Sequence, residues 1–207
     1  MADILIDNES APSTPAAGKS ILFVDTTTKK FGQMDESAIV QGILSRNSAN
    51  ASQGAGFAAD TYVTNSGLLI PSFGMKAGML FRWLITASKT AAGTAAAVYT
   101  VRIGAAQSTA DTARLTLTAS VAQTAAVDNG HLIVTAQVRN VGAAGVIAGA
   151  ASWAKSQAGT AGFGGSIDGV SSSFDNSALA GQYVGLSING GASAAWTLTS
   201  VHSELIG

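Results

Sequence analysis

Between Tyr62 and Val201, apolar and polar side chains alternate with a period of two, in runs separated by Gly, Ser, Asn and Asp. From Met79 to Ser88, Phe81, Trp83, Ile85 and Ala87 fall on one side, and Arg82, Leu84 and Thr86 on the other. Ala97–Ile103 sets Tyr99, Val101 and Ile103 against Thr100 and Arg102. Ala113–Thr118 sets Leu115 and Leu117 against Arg114, Thr116 and Thr118. His131–Arg139 gathers Leu132, Val134, Ala136 and Val138 on one face. Tyr62–Pro71, Val146–Trp153, Ser166–Phe174, Tyr183–Ile188 and Ala194–Val201 complete the series. Such alternation places successive side chains on opposite faces of a strand with one face buried. Many short strands joined by turns predict an all-β fold, an antiparallel, jelly-roll-like sandwich, with an immunoglobulin-like sandwich as the alternative. The Ala-rich segments 91–97 and 143–154 are also compatible with a short helix. Asp128-Asn129-Gly130 and Asp168-Gly169 read as turns, where Asp bonds nearby backbone.

The N-terminal region has a different texture. Gly18 to Asp25 is a compact apolar strand, Thr26 to Lys30 a polar turn, and Phe31 to Asp35 a second short strand, which together predict a hairpin. Ala38 to Leu44 is either a third strand or the start of a short helix. Two or three strands are marginal alone in water, so this region is expected to draw stability from a partner. The predicted organisation is an extended N-terminal arm carrying a β-hairpin (1–44), a Ser/Asn/Ala/Gly linker (45–59) and the β-sandwich domain (60–207).

Composition sharpens the picture. Charged residues make up 11% of the chain, against roughly 25% in ordinary soluble domains. Little charge is left to keep copies apart, which suits a subunit packed into a repeated assembly. The net charge of -1 offers no field to draw in nucleic acid or an anionic membrane. With no cysteine, disulfides and thiolate metal sites are excluded. The first residues carry acids where a secretory signal carries a basic region, and no run approaches the roughly 20 apolar residues of a membrane span. The expectation is a protein made in a cytoplasm, without membrane insertion.

Candidate chemistry is sparse. His131 and His202 have no neighbouring histidine at ligand spacing, and the acids Asp60, Asp111, Asp128, Asp168, Asp175 and Glu204 show no paired arrangement. Gly162-Phe-Gly-Gly165 lacks the Lys and Ser/Thr of a phosphate loop, and no Ser sits in a Gly-x-Ser-x-Gly elbow. The chain therefore reads as a non-enzyme with no cofactor and no metal. Trp83 and Trp196 lie in alternating apolar runs and are expected in the core. Trp153 follows an Ala/Gly-rich strand and is the candidate interface anchor or sugar platform.

Two stretches carry a resemblance. Thr14 to Asp35, with its Pro15-Ala-Ala-Gly18-Lys19, apolar strand, Asp25, turn and lysines, resembles the virion-proximal segment of bacteriophage tail-fibre, head-fibre and spike proteins. Ala77 to Gly104, with Ser108 to Leu115, looks like a recurrent β-domain of phage structural proteins. The resemblance implies a virion location and a homotrimer. The arm would dock to other virion proteins through Ile21, Phe23 and Phe31, and the β-domain would self-associate. Typical fibres are much longer, so a short fibre, spike or capsid decoration subunit is the expected form. The alternative is a carbohydrate- or receptor-binding module for a bacterial surface glycan.

Overall fold

The computed structural model describes residues 8–9, 13–27, 29–35, 40–41, 43–49, 51–90, 92–155 and 165–207. The Gly162-Phe-Gly string and the start of the arm, residues 1–7, lie outside them. All regular structure among the described residues is β. The arm forms a small sheet of β1 (Asn8–Glu9), β2 (Ser20–Asp25), β3 (Phe31–Asp35) and β4 (Val40–Gln41), in that spatial order. The predicted hairpin is β2–β3, with Ile21 opposite Met34 and Val24 opposite Phe31. β4 supplies the third strand rather than a helix, and β1 joins β2 in parallel.

The body begins with β5 (Ile43–Ala49), β6 (Gln53–Gly56), β7 (Thr61–Tyr62) and β8 (Leu68–Leu69). The long strands β9 (Leu80–Lys89), β10 (Val98–Gly104), β11 (Thr112–Thr118), β12 (Asp128–Asn140) and β13 (Val146–Lys155) follow. It ends with β14 (Ile167–Val170), β15 (Tyr183–Asn189) and β16 (Trp196–Ile206). The larger sheet runs β14-β13-β12-β9-β16-β5, with β6 also on β16. The smaller runs β11-β10-β15-β7, with β8 also on β15. The pairings are nested. β10 pairs β11, β9 pairs β12, β7 and β8 pair β15, and β5 pairs β16. A long antiparallel ribbon wound into two sheets gives this order, which is that of a jelly roll. The β13–β14 hairpin extends one edge.

The predicted alternation is what fills the sandwich. Phe81, Trp83, Ile85 and Ala87 of β9 and Leu132, Val134, Ala136 and Val138 of β12 are buried, as are Tyr99, Val101, Leu115, Leu117, Leu186 and Ile188 of the other sheet. Every Trp indole N–H finds an acceptor, as a buried polar edge requires. Trp83 donates to the Ser66 carbonyl at 2.8 Å, Trp196 to Gln123 Oε1 at 2.8 Å, and Trp153 to the Tyr99 hydroxyl at 2.6 Å. Gln123, itself buried, donates onward to the carbonyls of Ala95 (2.8 Å) and Gly190 (2.6 Å).

Two expectations change. Residues 45–59, read as a linker, belong to the body: β5 and β6 line the edge beside β16, and Phe57 is fully buried. Their small polar side chains hide the strand, because edge pairing rests on backbone hydrogen bonds. Asp128-Asn129-Gly130 and Asp168-Gly169 lie in strands, not turns. A side chain at 169 would press on Leu117, so the glycine lets β11 close over β14. The predicted strand Val146–Trp153 is present as β13, and the short helix with which segment 143–154 is also compatible does not form.

Candidate functional site

The hairpin β2–β3 has two apolar faces. On the inner face Phe23 and Met34 are buried and Ile21 packs against the core. Phe23 meets Phe73 edge-on at 5.9 Å between ring centroids. Gly32 sits opposite Phe23, and a Cβ there would come within 2.7 Å of the ring, so only glycine lets the Phe23 ring cross the neighbouring strand. Asp25, fully buried, fastens the end of β2. Its Oδ1 accepts from the Thr27 N–H (3.0 Å), and its Oδ2 accepts from the Ser72 N–H (3.0 Å) and hydroxyl (2.6 Å). Bonds to an ionised acceptor are among the stronger kinds. The arm is therefore seated on its own body, through the loop that follows β8.

The outer face is open. Leu22 and Phe31 are each 66% exposed, and Val24, directly opposite Phe31, is half-buried between them. Lys19, Lys29 and Lys30 are exposed around this patch. Of the three residues expected to dock the arm, Phe31 is thus presented outward, whereas Phe23 and Ile21 are used inside the chain. Leu22 and Val24 were missed, although their alternation with Ile21 and Phe23 in an all-apolar strand is the signal of a strand with two partners.

Trp153 is half-buried. Its ring stands edge-on to Trp196 at 5.5 Å, and its indole N–H bridges to Tyr99 in the opposite sheet. Burial pushes the Tyr99 hydroxyl well above its usual range, partly offset by the Trp153 bond. Trp153 thus closes one end of the sandwich, and Trp196 is buried beneath it. Tyr183 is half-buried.

The histidines lie on the outer face of the larger sheet and do not meet. His131 Nδ1 is 3.1 Å from the Thr86 hydroxyl, and His202 Nε2 is 3.9 Å from Glu204 Oε2. Glu204, almost wholly buried, pairs across strands with Arg82. Among the described residues, no three His, Asp or Glu side chains are grouped as a metal site would require. Compared with known proteins, the chain matches no family model and no curated protein sequence.

Proposed function

We propose that the chain is a non-enzymatic structural component of a bacteriophage particle, a short fibre, spike or capsid decoration subunit. The arm anchors it to another virion protein and the β-domain self-associates, with a homotrimer as the expected assembly. The observation that carries this reading is the hairpin's outer face. Leu22 and Phe31 stay exposed on a hairpin whose other face is already fixed to the body. Exposed apolar clusters rimmed by polar residues mark interaction sites. Lys19, Lys29 and Lys30 around the patch select a partner whose apolar pocket has an acidic rim. The resemblance of residues 14–35 to virion-proximal segments supports the same assignment.

This anchoring differs from threading of a free arm between subunits. The hairpin is presented on a rigid mount, so less ordering entropy is lost on docking. The test is particle occupancy with the double variant Leu22→Asp/Phe31→Asp. Both positions face solvent, so thermal stability should hold within about 0.5 kcal/mol, while incorporation into particles should fall to background. Full occupancy of the variant would sink the assignment of this face. Light scattering on the same pair separates anchoring from self-association, because the oligomer mass should be unchanged.

A further inference from the structure

The smaller sheet carries a cleft on its outer face, about 480 Å³ in volume, between residues 60–65 and residues 107–109. That volume is within the ~300–1,000 Å³ of small-molecule sites, but such sites are mostly apolar, and this one is lined chiefly by hydroxyls, amides and a carboxylate.

Its walls are tied together from beneath. Arg102, on β10, donates through Nε to the Ser187 hydroxyl (2.8 Å) and through Nη1 to the carbonyls of Thr109 (3.0 Å) and Asp111 (2.8 Å), while Nη2 pairs with Asp60 Oδ2. One guanidinium thus holds both walls, using the fixed fork that suits it to such a role. Asp111, buried behind the second wall, accepts from the Ala106 N–H at 2.9 Å and shapes that loop. Gln53 clamps the first wall, accepting from the Thr64 N–H (2.9 Å) and donating to the Thr64 carbonyl (3.1 Å). Tyr62 lies over Gly185, where a Cβ would come within 1.8 Å of the phenolic oxygen. Its half-exposed ring gives the cleft one apolar wall. The hydroxyl is buried close to the Ser66 hydroxyl.

Two further features single out the mouth. Asn65 and Gln107, on opposite walls, both have left-handed backbones (φ 61° and φ 50°). Glycine would adopt this conformation more readily, yet each position carries an amide, and such outliers cluster where a site is held ready. Asp60 Oδ1, the Thr64 and Thr109 hydroxyls and the Gln107 amide are not engaged inside the chain among the described residues. The charge balance then selects the ligand. Arg102, beneath the cleft, is already paired with Asp60, no cation lines the cleft among the described residues, and Asp111 lies behind it. An anion is disfavoured there.

We propose that this cleft binds a neutral saccharide, its adjacent hydroxyls held by Asp60, the Gln107 amide and the Thr64 and Thr109 hydroxyls, with Tyr62 as the apolar contact, while the Asn65 amide N–H is spent on the Ser48 carbonyl (3.1 Å) and steadies the first wall. The proposal is independent of the particle assignment, and it locates glycan recognition away from Trp153. The test is a ¹H–¹⁵N titration of the full chain with methyl glycosides of glucose, galactose and N-acetylglucosamine, alongside an array of bacterial polysaccharides. Shifts should be confined to residues 60–65 and 102–111, and sialic acid should produce none. Binding to the array without the monosaccharides would identify a surface polysaccharide as the source; binding to both would identify the sugar unit itself. Gln107→Gly removes one amide while relaxing the backbone, so it should fold normally and bind about tenfold more weakly. Asp60→Asn gives a second reading should the glycine variant alter the loop. No shifts and no array signal, binding restricted to anionic sugars, or undiminished binding in both folded variants would each overturn the proposal.

Discussion

Replacing Asp25 by Ala tests how the arm is held. The buried carboxylate accepts hydrogen bonds from the Ser72 N–H and hydroxyl, and these cross from the arm to the body; a bond from Thr27 stays within the hairpin turn. Hydrogen bonds to charged groups contribute about 1.5–3 kcal/mol each. The two crossing bonds are not additive, and the Ser72 groups regain water once exposed, so the expected loss of attachment is about 2–4 kcal/mol. Phe23 still packs against Phe73, so the arm should remain seated but open more often. At about 1.4 kcal/mol per tenfold, amides of β2 and β3 should exchange with solvent on the order of 30 to 1,000 times faster. Those of β9 and β12 should be unaffected. Native-state hydrogen exchange reads both regions in one sample. Equal acceleration in the hairpin and in β9 would refute the idea that the arm opens separately, and an unchanged hairpin would refute the latch. Asp25→Asn retains an acceptor and should fall between the two.

Gln123→Met removes the Gln123 acceptor of the buried Trp196 N–H and the Gln123 donor to the Gly190 carbonyl, so urea titration should show a loss of about 2–5 kcal/mol; a loss under about 1 would contradict the role given to this side chain. Gly32→Ala drives a Cβ into the Phe23 ring and should weaken the hairpin by about 1–3 kcal/mol, seen as faster exchange in β2 and β3 with the body's melting temperature unchanged. Burial pushes the pKa of both Tyr99 and Tyr62 up and so resists their ionisation, the charge of Asp111 adding to the effect at Tyr62 and the nearby Ser66 hydroxyl opposing it. The folded state then holds protons that the unfolded state releases, so this stability is complete below about pH 10 and is lost as pH rises above it, by at most about 1.4 kcal/mol per unit for each tyrosine. Lys89, lowered by burial against the attraction of Asp128, works in the opposite direction. Tyr99→Phe should flatten the alkaline fall, followed by denaturant midpoints across pH 9 to 12; an unchanged slope would show that Tyr99 ionises freely in the folded protein.

Much of the sandwich was legible because its strands are long and bury one face. β9, β10, β12 and β15 appear within a few residues of where their alternation puts them. The edges were not legible. β5 reads Ile-Leu-Ser-Arg-Asn-Ser-Ala, and its place comes from pairing with β16, which no local pattern records. The hairpin was visible, but which of its faces was free depended on where the body offered Phe73 and Ser72. The cleft was invisible for the same reason. Asp60, Arg102 and Asp111 are scattered along the sequence and meet only when β7 and β10 come to flank β15.

The nested pairing also fixes an order of events. β10 and β11 are neighbours in sequence and can meet early, whereas Ala49 must find Val201 across most of the chain. Contacts of such separation form slowly, since the intervening loop must be ordered before it is rewarded. The Ser72 seat of the arm follows β8, and β8 is held by β15. A nascent chain therefore has no mount for its hairpin until its last strands have been made. Chains made only as far as β14 would carry the hairpin's residues but could not hold them on the body, so the exposed face of Leu22 and Phe31 is presented only once β15 is in place.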